Sequence, residues 1–260
     1  MQMTDQDLDD LRYAKLLLDN PGLAAKITSA IGAPIEKGFD LLPRGWHDLV
    51  AKSTRKALEV SVHSAVLTLN TRQKRESANR LHKLMVAGIG AAGGFWGLPA
   101  LTIELPLSTT VMLRSIADIA RSEGHNLDDA EVKMACLEVF AFGGPQKADD
   151  GVDTGYFAVR TALAQAVNEA AKHIAVKGLT DKSGPALVRL ISQIAGRFGV
   201  QVTEKIAAQS IPLIGAAGGA VINTLFIDHV QAMARGHFII LRLERIYGSQ
   251  PVRELYAELE

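Results

Sequence analysis

The residues best able to do chemistry lie close together near the C-terminus: Asp228 and His229, with His237 eight positions further on. Positions eight apart share one side of a helix, and a carboxylate beside an imidazole is the usual arrangement for moving a proton near neutral pH. Adjacent helical residues do not face each other, however, so Asp228 is poorly placed to orient His229. Two histidines without a third ligand do not make a zinc site. Packing or helix-surface roles are the simpler reading of all three. Glu104 and Asp228 form a general acid/base pair only if the fold brings them together, and no positioned nucleophile accompanies them. Charges at helix ends or interfaces are the plainer alternative.

The remaining candidates point to structure rather than catalysis. Arg114 and Asp118 have the spacing of an i to i+4 ion pair. Asp149, Asp150 and Asp153 lack the periodicity and closing glutamate of a calcium loop. Cys136 is the lone cysteine and falls on an apolar helical face, where a buried inert thiol is expected. There is no His-Glu-x-x-His helix, Gly-x-Ser-x-Gly elbow, phosphate-binding loop or dinucleotide fingerprint. No metal and no cofactor is expected.

The elements that must position these residues read as helices. Thr4 caps a first helix within residues 1–20, followed by Asp5, Asp7, Asp9 and Asp10, and Asn20-Pro21-Gly22 ends it. A short segment at residues 23–31 comes next. Pro43 opens a longer helix with Trp46, Val50, Ala57 and Val60 at helical spacing. Its other side carries Lys52, Arg55, Lys56 and Glu59, a solvated face or one suited to an anionic membrane. Residues 70–80 form a polar, mostly basic connector.

Two uncharged runs follow, residues 84–103 and 206–227, both long enough to cross a bilayer but interrupted by glycine, proline and polar residues. Gly90 with Gly94, and Gly215 with Gly219, are small-xxx-small pairs that let helices approach closely. Buried packing is favoured over membrane insertion, with Trp46 and Trp96 able to anchor at an interface or fill a core. The hexapeptide Ile-Gly-Ala-Ala-Gly-Gly occurs at residues 89–94 and again at 214–219. Each copy leads to an acid, Glu104 or Asp228, and then to Arg121 or Arg245, which opens an Arg-x-x-Gly ending at Gly124 or Gly248. Two pseudo-equivalent glycine-rich helical hairpins are the expectation.

Between the copies, Pro106 suits a helix start and Gly124 a helix end. Asp128 with Glu131 resembles a capping box for a helix through Phe140. Residues 143–153 form the internal loop. An alanine-rich helix spans about 154–176, Ser183 caps the next, and a last long helix covers about 213–247. No alternating strand pattern occurs.

With 28 basic and 28 acidic side chains and 48% apolar residues, the chain is a globular protein without the cationic excess that nucleic-acid binding needs. The expected architecture is an all-α, single-domain, multi-helix bundle over residues 1–260. The acidic N-terminus shows no export signal, and a cytoplasmic, reducing environment is expected.

The runs Gly93-Gly94-Phe95-Trp96-Gly97-Leu98-Pro99, Glu104-Leu105-Pro106, Arg114-Ser115-Ile116-Ala117-Asp118-Ile119-Ala120 and Tyr156-Phe157-Ala158-Val159-Arg160, with Pro212-Leu213-Ile214-Gly215-Ala216 continuing through Asn223 to Ala234, together resemble the bacterial EcsC family. Glu104 stands where the family's Asp-x-Pro element has aspartate. The family is named for a gene beside an ABC transporter, and a peptidase label is sometimes attached to it. The function expected is thus a non-enzymatic, membrane-associated accessory or amphiphile- and lipid-binding helical protein, peripheral to or inserted in the inner membrane. Its partners would be a membrane surface, a lipid or a membrane protein such as that transporter. Gly90, Gly94, Trp96, Arg114, Gly215, Gly219 and Asn223 would form the ligand or packing motif. The alternative is a hydrolase using Glu104, Asp228 or His229.

Overall fold

The computed structural model describes residues 3–19, 22–62, 84–85, 101–144, 155–177, 184–211 and 215–259, and among them every regular element is helical. Helix α1 (Asp5–Leu18) starts where Thr4 caps it, the threonine hydroxyl accepting the Asp7 N–H at 3.2 Å. Leu11, Ala14 and Leu18 form its buried side. There follow α2 (Leu23–Ile31), the short α3 (Glu36–Phe39), α4 (Trp46–Ser61), α5 (Leu101–Ser122), α6 (Ala130–Glu138) with a 3-10 turn at Val139–Ala141, α7 (Tyr156–Lys177), α8 (Pro185–Gln209), α9 (Gly215–Tyr247) and α10 (Ser249–Glu258).

The 33-residue α9 is the spine. At 1.5 Å per residue it runs for about 50 Å. Helices α1, α2, α5, α8 and α10 all pack on it, α4 packs on α5 and α8, and α7 lies between α6 and α8. A ladder of aromatic rings marks the centre: Phe140 against Phe198 at 4.8 Å, and Phe198 stacked on Phe226 at 5.8 Å. At the far end, Arg242 reaches Asp10 at 2.6 Å and Glu123 at 3.5 Å, while the Tyr247 hydroxyl donates to Asp7 at 2.6 Å. These contacts tie α1 and the end of α5 to α9.

Several expectations are corrected. Pro106 lies inside α5, not at its start; Leu105, Ser108 and Thr109 beside it are buried, so packing carries the helix through one missing N–H. Asp129 rather than Asp128 precedes α6, with no side-chain cap bond, so the expected capping box is absent. The loop instead closes on itself, Asn126 donating to Asp129 at 3.0 Å. Gly184 is the N-cap of α8 with Pro185 in its first turn, and Ser183 lies outside the described residues. The uncharged run 206–227 is split between the end of α8 and the start of α9. Among the described residues no helix is long and apolar enough to cross a membrane.

The first hexapeptide copy, Gly90, Gly94 and Trp96, the connector at 70–80 and most of the loop at 143–153 fall outside the described residues, as do Asp149, Asp150 and Asp153. Gly215 opens α9 and Gly219 is buried in its second turn. Cys136 is buried and burial pushes its thiol up to about 12, as an inert core cysteine requires.

The tightest backbone approach is at Gly38, where a Cβ would fall 1.8 Å from the carbonyl oxygen of Ala207 on α8. No side-chain movement relieves a clash with backbone. Gly38→Ala is expected to destabilise the protein by about 1–3 kcal/mol in urea unfolding.

Candidate functional site

Two buried polar clusters stand apart on α9. The first joins α5, α8 and α9. Glu104 turns inward, its side chain 7% exposed, and Lys205, whose side chain is wholly buried, meets it with Nζ–Oε1 at 2.7 Å. Asn223 donates to the same oxygen at 3.2 Å, and the ammonium lies 5.5 Å from the Phe226 ring centre. Ions this deep persist only when paired and hydrogen-bonded. Lys205 is absent from the sequence-derived candidates. It shares the buried side of α8 with Phe198, Val202 and Ala208, and a lysine on an apolar stripe is the signal that marks it.

Asp228 does not stand beside Glu104's partners. Its charge acts on Lys26 of α2, five residues beyond Asn223 along α9. His229 is buried with its ring against the backbone of Gly143, where a Cβ would lie 2.3 Å from Nε2. Gly143 also has φ +74°, so both conformation and space demand glycine. Burial, then the Lys26 charge, pushes the His229 imidazole down to about 4, which leaves it neutral. Asp118 pairs with Arg121 one turn on. Arg114 is exposed on the outer side of α5.

The second cluster surrounds His237, which is wholly buried. Its Nδ1 and the Tyr156 hydroxyl share a hydrogen bond of 2.7 Å, and its Nε2 faces Glu138 Oε2 at 3.8 Å. Burial holds its pKa well below the ordinary histidine value, so the ring is neutral. Glu138 is 5% exposed, and burial pushes its carboxyl up to about 7, against the opposing charge of Arg160. Arg160 itself grips Glu244 with two parallel bonds of 2.8 and 2.9 Å. Glu138, Arg160 and Glu244 line a cleft of about 290 Å³, walled also by Phe157, Gln250 and Arg253. A neighbouring cleft of about 440 Å³ is lined by Tyr156, Lys15, Asp19 and Tyr256. Phe157 and Arg253, whose guanidinium lies 5.5 Å from the phenyl centre, stand in the wall between the two.

His229 and His237 therefore serve different surroundings, about 12 Å apart along the helix axis. Among the described residues no three His, Cys, Asp or Glu side chains are grouped to hold a metal. Nor does any described histidine hydrogen-bond to a serine, threonine or cysteine. Tyr156 and Arg160 were legible only as part of a motif. Their i to i+4 spacing puts both on one side of α7, as the i to i+7 spacing does for His237 and Glu244 on α9.

With this geometry in view, a family model described as the EcsC protein family matches residues 18–243. The chain belongs to that family. No curated protein and no solved structure matches it. The matched span takes in Glu104, Glu138, Tyr156, Arg160, Lys205, Asn223 and His237, ends one residue before Glu244, and leaves α10 outside.

Removing one member of the buried pair strands the other. Lys205→Met is expected to cost about 3–5 kcal/mol in urea unfolding, and Glu104→Gln combined with it to recover most of that loss. Equal destabilisation by the single and double variants would show that the pair does not hold these helices.

Proposed function

We propose that this is a non-enzymatic helical protein that works at a membrane surface on the cytoplasmic side, gripping lipid with the edge formed by the first turns of α5. The supporting observation is the outward side of that helix. Ile103 is 69% exposed and Leu107 53% exposed, and Arg114 follows on the same side. At 100° per residue, Ile103, Leu107 and Arg114 lie within about 40° of one another around the axis. An apolar tip backed by a cation about two to three turns away suits entry at the headgroup boundary, where interfacial helices bury their apolar side about 5–10 Å deep.

Two neighbours reinforce the reading. Helix α4, packed along α5, exposes Lys52, Arg55 and Lys56, a basic side that anionic headgroups attract. Asn223 binds Glu104, which places the start of α9, with Val221 47% exposed, beside the same turns of α5. The hydrolase alternative gains no support: Glu104 is consumed by Lys205, and Asp228 and His229 face Lys26 and Gly143.

Vesicle flotation tests the reading. The protein is expected to rise with vesicles containing phosphatidylserine, and Ile103→Asp with Leu107→Asp to lose at least tenfold of that binding, since each apolar side chain contributes about 1.5–3 kcal/mol when buried. Circular dichroism of the double variant should be unchanged, because both positions are exposed. Wild-type protein left at the bottom of the gradient with protein-free vesicles would sink the lipid reading and leave a membrane protein as the partner to seek.

A further inference from the structure

His229 is held in a way that packing alone does not explain. The residue is 1% exposed, yet neither ring nitrogen has a hydrogen-bond partner, and the Gly143 backbone that acts on the ring makes no hydrogen bond with it. Buried polar groups are nearly always satisfied, so an imidazole left open at both nitrogens needs a specific reason. Met233 stands one turn further along α9, and the i to i+4 spacing puts the two side chains on one side of the helix. They converge on one point. A Cβ on Gly143 would fall 2.3 Å from His229 Nε2 and 2.9 Å from Met233 Sδ. An imidazole nitrogen and a buried thioether sulfur therefore meet over a residue that has no side chain to separate them.

We propose that His229 Nε2 and Met233 Sδ together bind a soft monovalent metal ion, of the class of copper(I) and silver(I). The donor pair selects for that class. Thioether sulfur is a soft ligand that favours copper(I), imidazole also suits copper, and neither donor suits magnesium or calcium. Metal bonds to nitrogen and sulfur run to about 2.0–2.3 Å, so one ion can reach both atoms where they converge. Burial keeps the imidazole neutral, which leaves a ring lone pair available; with Nε2 as the ligand, the proton resides on Nδ1.

Charge argues for a single positive one. Both donors are neutral, and the cation acting on the ring is Lys26 of α2, on which the Asp228 carboxylate acts in turn. A divalent ion would bring two further charges into a buried place that offers no anionic ligand of its own. Zinc also needs a fuller set of ligands, and among the described residues no three His, Cys, Asp or Glu side chains are grouped to supply it. The way in is the turn after α6. Gly143 and Gly144 are both half-buried, neither carries a side chain, and a Cβ on Gly144 would meet nothing within 4 Å, so a small backbone shift there uncovers the pair. None of these residues belongs to the membrane edge, so failure of vesicle binding leaves this site standing, and the reverse holds.

Anaerobic titration of the full chain with copper(I) buffered by bicinchoninate tests the assignment. A Cys136→Ala background removes the one thiol that could compete for the ion. One copper(I) per chain is expected to be drawn from the chelator. Met233→Leu keeps the side-chain volume and loses only the sulfur, so it should weaken binding at least tenfold while circular dichroism stays unchanged. Met112→Leu, a buried methionine on α5, should leave binding as it was. Silver(I) should shift the His229 Nε2 resonance in nitrogen-15 spectra, which identifies the ligand atom. Failure to take copper(I) from the chelator, or binding by Met233→Leu as tight as by its parent, would overturn the site. Zinc bound as tightly as copper(I) would overturn the soft monovalent class.

Discussion

Glu104 and Lys205 hold each other inside the protein, and the arrangement of the three helices around them depends on that pairing. Neither ion can be buried alone: the cost of stripping water from an unpaired carboxylate or ammonium is several kcal/mol, about half the stability of an ordinary domain. Helices α5 and α8 must therefore meet at one register, and Asn223 brings α9 to the same point. Fixing Glu104 inward also fixes what points outward. Ile103 lies about 100° back around the axis and Leu107 about 60° from Glu104 in the same sense, so both must emerge on one flank. The exposed apolar edge is thus a geometric consequence of the buried charge pair.

The same spine treats buried polarity differently at its other half. Around Lys205 every charge is answered by an opposite one at hydrogen-bond distance, and the cluster is a lock. Around His237 the Tyr156–His237 bond and the Arg160–Glu244 grip hold α7 to α9, and Glu138 lines the adjoining cleft. Satisfied networks of this kind rigidify a core. The EcsC match covers the first cluster and all of the second but Glu244, and it stops short of α10, so the outer wall of the cleft, with Gln250 and Arg253, is contributed by a helix beyond the matched span.

The sequence was readable where local physics decides the outcome. Thr4 followed by acids gives a capped helix in any context, Gly124 and Gly248 adopt the positive φ expected of residues after helix ends, and the long uninterrupted pattern of α9 is helical over nearly the expected span. It was opaque where tertiary packing overrides local preference. Pro106 sits inside α5 because the turns on both sides are buried, a fact carried by α4 and α9 rather than by neighbouring residues. Lys205 is not among the sequence-derived candidates, because its pairing depends on a carboxylate that approaches from a hundred residues away. Glu138 was hidden for the same reason: nothing within α6 says that its last residue faces a cleft built by α7, α9 and α10. The histidines were noticed, but a helix pattern cannot tell whether two residues on one side of α9 meet the same partner.

The most direct test of a membrane-facing edge fixed by a buried ion pair is amide hydrogen exchange of the full chain with and without phosphatidylserine vesicles. Slower exchange is predicted in peptides covering residues 101–107 and the start of α9 when vesicles are present, with α7 and α10 unaffected. Unchanged exchange at the start of α5, or protection confined to α7 and α10, would contradict it.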